Sequence, residues 1–150
     1  MTIYLDNAAS SPLRPCALEV LQISMKEDFA NPSSAHRMGK ELNRRIEACR
    51  ERFLLEFLGA SKDDRLIFTG SATESNNTVI MGLDFKPRDS VVVSKADHPS
   101  VTAPVERLEK QRNLRVIEMP MKDDGTADEA GLFQLLDETV KLVILTQVNN

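Results

Sequence analysis

Leu66-Ile67-Phe68-Thr69-Gly70-Ser71-Ala72-Thr73-Glu74-Ser75-Asn76-Asn77 is the stretch on which the fold turns. Its apolar run, Leu66 to Phe68, reads as a strand. The small residues that follow make a tight turn, and Val79, Ile80, Met81 and Leu83 continue as a helix. Free backbone N–H groups at such a helix start, joined by the Ser71 and Thr73 hydroxyls, seat a phosphate well. The same residues also serve any strand-to-helix turn simply by turning and capping, and on these residues alone both readings stay open.

Working outward toward the C-terminus, Ser90 to Ser94 is a β-branched run expected as a buried strand. Lys95 to Ser100 is a loop, and a helix follows through about Gln111. Pro104 belongs in a first turn, which predicts a helix start between Ser100 and Ala103. Leu114 to Met119 predicts another strand, Asp123 to Thr126 a turn, Asp128 to Asp137 a short helix and Lys141 to Thr146 a last strand. Toward the N-terminus, Ile3 to Asp6 is extended and Asn7 to Pro12 is a small-residue loop. Pro15 opens a helix to roughly Asp28. Asn31-Pro32-Ser33-Ser34 supplies turn and cap chemistry for a long helix from about Ala35 to Leu58, which Gly59 stops. On that helix Leu42, Ile46, Cys49, Phe53 and Phe57 form one apolar face, which predicts a buried Cys49 thiol. Alternating strands and helices imply an α/β fold with a mostly parallel sheet covered by helices.

A chain of 150 residues, 41% hydrophobic and 28% charged, suits one soluble globular segment, and no linker-like composition divides it. A net charge of −4 with no basic stripe argues against nucleic acid as the main partner. No apolar run has the length of a membrane span and the first residues lack a signal-peptide pattern, so the cytoplasm is the default location. Cys16 and Cys49 form no C-x-x-C pattern, and with only His36 and His98 beside them no structural metal site is expected. The sequence stops on an apolar run that reads as a core strand, which predicts an N-terminal piece of something longer.

In open α/β sheets ligands bind beyond the carboxyl ends of the strands, and the most distinctive polar residues fall there: Thr69 to Thr73, Asp97-His98 and Asn149-Asn150. His98 is either a loop histidine that caps or packs locally, or a ring at a cleft mouth that stacks on a flat cofactor and moves protons. Asn150 either caps a following helix or donates its amide to a ligand. Asn31, Ser33, Ser34 and His36 carry the same ambiguity, with capping favoured.

Five ordered motifs now coincide: Tyr4 to Pro12, Asn31-Pro32-Ser33-Ser34-Ala35-His36, Ala72-Thr73-Glu74-Ser75-Asn76-Asn77, Asp97-His98-Pro99-Ser100-Val101 and Val148-Asn149-Asn150. Together they resemble the N-terminal part of the pyridoxal-phosphate-dependent cysteine desulfurases, of the class V aminotransferase-like group, over essentially the whole chain. The resemblance implies the N-terminal part of a fold type I PLP-dependent transferase large domain. A helical arm over about 1–60 would precede the first part of the PLP-binding domain over about 61–150, with the rest of that domain and a small domain beyond. It implies a homodimer that draws sulfur from L-cysteine, releases L-alanine and hands the sulfur from an enzyme persulfide to an acceptor protein. By the same resemblance, Ala72 and Thr73 hold the pyridoxal 5'-phosphate phosphate, His98 stacks on the ring and assists proton transfer, and Asn150 contacts the ring hydroxyl. No metal is implied.

Three departures qualify the match. Gly70-Ser71 reverses the Ser-Gly common in relatives, and Gln147 stands where a histidine is common. The family's cofactor lysine, ring-nitrogen aspartate and persulfide cysteine have no counterparts before Asn150, so the segment alone is expected to be inactive. The rival readings are another class V enzyme, such as a selenocysteine lyase or carbon–sulfur lyase, and a non-catalytic phosphate-binding or dimerisation fragment.

Overall fold

The computed structural model describes residues 3–7, 9–61 and 63–146. They fall into two compact units, divided between Ile67 and Phe68.

The first unit is helical. Helix α1 (Pro15–Glu27) starts with proline at its first position, where the missing N–H costs no hydrogen bond. Helix α2 spans Arg37–Arg52. Its cap is His36, whose Nδ1 accepts the Gly39 N–H at 3.2 Å, while Asn31 Oδ1 closes the preceding turn by accepting the Ser33 N–H at 2.8 Å. These residues therefore turn and cap. The expected helix to Leu58 changes pitch instead: Phe53–Phe57 forms a π-turn in which the Leu58 N–H reaches back to the Phe53 carbonyl. Gly59 then ends it at φ +59°. Leu42 and Ile46 are half-buried, but Phe53, Phe57 and Cys49 are exposed. The expectation of a buried Cys49 is therefore wrong. The apolar stripe is present, yet nothing in this unit covers its far half.

The second unit carries the sheet. Helix α3 (Ala72–Gly82) leads to strand β1 (Ser90–Val93), helix α4 (Pro99–Arg112), strand β2 (Arg115–Glu118), helix α5 (Glu129–Leu135) and strand β3 (Val140–Val143). The sheet order is β2-β1-β3 and both pairings are parallel, which is the expected architecture. Val91 faces Val116 on one side and Leu142 on the other. All four residues of β1 are buried, as a central parallel strand requires. Val91 and Val93 join Ile80, Phe85, Val101, Val105, Leu108 and Leu114 in one core cluster. The polar residue in this strand is satisfied: the Ser90 hydroxyl meets that of Thr139 at 2.9 Å.

Two expectations fail here. Leu66 to Phe68 is not part of the sheet, and Ile67 and Phe68 stay largely exposed. β-Propensity is a weak, context-dependent preference, and the run forms no strand among the described residues. Pro104 also lies well inside α4 rather than in its first turn, because Pro99 already occupies the first position. The amide that Pro104 lacks is offset by burial of its ring. No helix among the described residues is long and apolar enough to cross a membrane.

A methyl group added at Gly39 would lie 2.5 Å from the Ser34 carbonyl oxygen and 2.6 Å from that of Asn31, both fixed backbone atoms. Gly39→Ala is expected to destabilise the full-length protein by about 1–3 kcal/mol in urea unfolding. Gly82→Ala, where nothing lies within 4 Å, should be neutral or mildly stabilising. Equal effects at the two sites would refute the close-approach argument.

Asp137 opens the turn into β3. The Thr139 hydroxyl and amide both donate to its Oδ1, at 2.6 and 2.8 Å, and hold its carboxyl below the usual aspartate range. A lowered folded-state value stabilises only while the carboxylate is ionised. The contribution is thus present above the ordinary range and lost as pH falls through the folded value. Asp137→Ala should lower the melting temperature at neutral pH, with the gap to the parent closing as pH falls below the ordinary aspartate range. A gap constant across that series would remove the charge from the explanation.

Candidate functional site

The turn before α3 is a capping box. The Ser71 Oγ accepts the Glu74 N–H at 3.1 Å, and Glu74 Oε2 reaches back to accept the Gly70 N–H at 2.7 Å. The Ser75 N–H goes to the Ser71 carbonyl at 3.1 Å. This leaves the amides of Ser71, Ala72 and Thr73 without a protein partner among the described residues. These are N–H groups at the positive end of a helix dipole, able to receive an anion. The Ser71 hydroxyl itself is committed to capping and does not point to a ligand role.

His98 sits beyond the carboxyl end of β1 as the cap of α4. Its Nδ1 accepts the Ser100 N–H at 3.0 Å and lies 2.9 Å from the Ser100 Oγ. The loop carrying it is pinned by Asp97, which is buried: its Oδ2 accepts the Ser94 N–H at 3.1 Å, and the Thr146 hydroxyl donates to its Oδ1. Asp97 thereby ties the carboxyl ends of β1 and β3 together and leaves His98 projecting and exposed.

A cleft of about 440 Å³ opens between α3 and α4, walled by Thr73, Asn77, Met81, His98, Ser100 and Arg107 among others. Thr73 and His98, far apart in sequence, thus face one space, next to the free amides. His98 caps a helix through Nδ1, as the capping reading expects, and it also lines the cleft. Asn150 and Gln147 lie outside the described residues. A larger hollow of about 630 Å³ lies within the first unit, against Leu54, Leu55, Leu66 and Ile67. Its walls also carry Glu47, Arg50, Glu51, Ser61, Asp64 and Arg65, and none of the sequence-predicted site residues lines it. Asn76 and Ser100 carry no assigned role in the sequence reading, yet they contact each other at 2.9 Å beside His98. The proximity of Ser100 to His98 was visible in the sequence; that of Asn76, on another helix, was not. No cluster of three or more metal-binding side chains occurs among the described residues.

Residues 3–150 match the family model described as aminotransferase class-V. The chain is 36% identical to cysteine desulfurase IscS of Dictyoglomus turgidum, over 99% of its own length and 38% of that protein. It is 37% identical to a cysteine desulfurase of Cereibacter sphaeroides, with the same two coverages. Among solved structures it is similar to a NifS-like protein, with a TM-score of 0.82 at 31% identity over 95% of this chain and 39% of that one. It is also similar to SspA in complex with cysteine, with a TM-score of 0.83 at 29% identity over 95% and 41%. The chain therefore spans less than half the length of the relatives it matches.

Ser71→Ala removes the acceptor of the Glu74 N–H and is expected to cost about 1 kcal/mol of stability in thermal melts, with Ser71→Asn recovering most of it. An unchanged melting temperature in the alanine variant would show that the cap contributes nothing.

Proposed function

The chain belongs to the aminotransferase class-V family, and from that premise we propose that it forms the N-terminal part of a pyridoxal 5'-phosphate-dependent cysteine desulfurase. The full-length protein would act on L-cysteine as a cytoplasmic homodimer. Residues from about 1 to 60 serve as its helical arm, and those from about 61 to 150 begin its cofactor domain. The observation that supports this reading is that Thr73, whose amide has no protein partner among the described residues, lines one cleft with His98.

The residues present fit the cofactor's phosphate. Two adjacent amides at a helix start donate to phosphate oxygens, and the capping box keeps Gly70 and Glu74 out of competition by satisfying them internally. The His98 ring offers a flat face to the cofactor, held by the rigid turn at Asp97. Asn150, outside the described residues, is assigned to the ring hydroxyl by the family resemblance alone. When bound, pyridoxal phosphate supplies the electron sink that makes the bond between Cβ and sulfur of L-cysteine cleavable. The sulfur passes to an enzyme thiol as a persulfide, L-alanine leaves, and an acceptor protein takes the sulfur. The relatives named cysteine desulfurase favour this activity over a selenocysteine lyase or another carbon–sulfur lyase.

The full-length protein should purify yellow and convert L-cysteine to L-alanine with matching persulfide sulfur, faster than it handles L-selenocysteine. His98→Ala should lower kcat by about 100-fold. It should cost only about 1 kcal/mol of stability, the worth of a lost cap. A colourless protein, or a His98→Ala variant with unchanged turnover, would overturn the proposal.

A further inference from the structure

A one-way chain of hydrogen bonds runs from α3 to His98. Asn76 Nδ2 donates to the Ser100 Oγ at 2.9 Å, and that oxygen lies 2.9 Å from His98 Nδ1, which also receives the Ser100 backbone N–H at 3.0 Å. A backbone amide can only donate. A proton on Nδ1 would point into it, so Nδ1 carries the lone pair and the ring proton sits on Nε2. The Ser100 hydroxyl, 2.9 Å away, can share that one lone pair by turning its hydrogen to Nδ1, with its oxygen accepting from Asn76. With the ring proton on Nδ1, the Ser100 N–H would lose its acceptor. Ser100 is buried and Asn76 is half-buried, so little water competes for these bonds.

We infer that Asn76 and Ser100 are positioning residues that fix the plane of the His98 ring and hold it as the Nε2–H tautomer. The cofactor would then meet a ring whose outward nitrogen donates a hydrogen bond, with Nδ1 closed to proton exchange. This rests on the reading of His98 as the residue that faces the cofactor, but the arrangement itself exists without any ligand. It also explains why α3 and α4 contact each other through polar side chains at their N-terminal ends, where the cleft opens, rather than only through the core.

The test is nitrogen NMR on the full-length protein labelled at histidine, without and with pyridoxal phosphate, the His98 signals being assigned by their loss in His98→Gln. The expected result is a pyridine-type Nδ1 and a pyrrole-type Nε2 in the unsubstituted protein. Ser100→Ala and Asn76→Leu leave the Ser100 backbone N–H in place, so they should move both signals part of the way toward a tautomer mixture and lower kcat roughly fivefold, the worth of one hydrogen bond, with little change in KM. Ser100→Thr should restore both readouts. A pyrrole-type Nδ1 in the unsubstituted protein overturns the inference, and so do an unmoved tautomer and rate in Ser100→Ala. Should Ser100→Ala fail to fold, the tautomer of the unsubstituted protein and of Asn76→Leu decides. The expected tautomer and its loss in Ser100→Ala, found in a protein inactive on L-cysteine, would refute the proposed reaction and leave the relay standing.

Discussion

Burial of a single strand governs this architecture. β1 lies between two parallel neighbours and its four residues are all buried, so every backbone group in it must find a partner in β2 or β3. That demand sets the register on both sides and fixes where the strand can end. Its carboxyl end emerges into a turn closed by Asp97, itself buried and bonded on both oxygens. The chain has little freedom by the time it reaches His98. The site inherits its precision from the strand and not from the loop.

The same reasoning explains why the end of β1 and the start of α3 cooperate. Helices α3 and α4 pack together on the core through Ile80, Val101 and Val105. Two helix starts are thereby brought to one rim. One supplies backbone amides with no protein partner; the other supplies an imidazole. Neither is a site alone, since helix starts with free amides are common. Thr73 of one helix and His98 of the other line one cleft, which is what supports reading the two together.

Legibility in the sequence followed burial. The run Ser90 to Val93 was readable as a central strand because its β-branched residues are buried on both faces, and the α/β class followed from the alternation around it. The run Leu66 to Phe68 is also apolar and β-prone and misled, because β-propensity is too context-dependent to make a strand by itself. Cys49 misled for a related reason: periodicity shows which face of α2 is apolar, never what covers it. Pro104 was misplaced by one turn, since a proline at the first position and another deeper in are hard to rank from sequence when the second ring is buried. Within the site, His98 was legible as a polar residue beyond the end of β1, whereas Thr73 was picked by the same rule applied to a strand at Leu66 that does not form. Asn76 was hidden, because its importance lies in a contact between helices.

Capping and function are usually weighed as alternatives for a loop histidine, and here that opposition dissolves. An imidazole has two nitrogens with separate duties. Using Nδ1 to cap α4 costs the ring its rotational freedom and settles its tautomer, which a freely rotating side chain would have to do at the moment of ligand binding. The helix gains a satisfied amide and the cleft gains a ring already held in place. A histidine serves this double purpose better than the serine or aspartate usual at such positions. Those would cap α4 equally well, but neither carries a flat ring to turn toward the cleft once the cap is made.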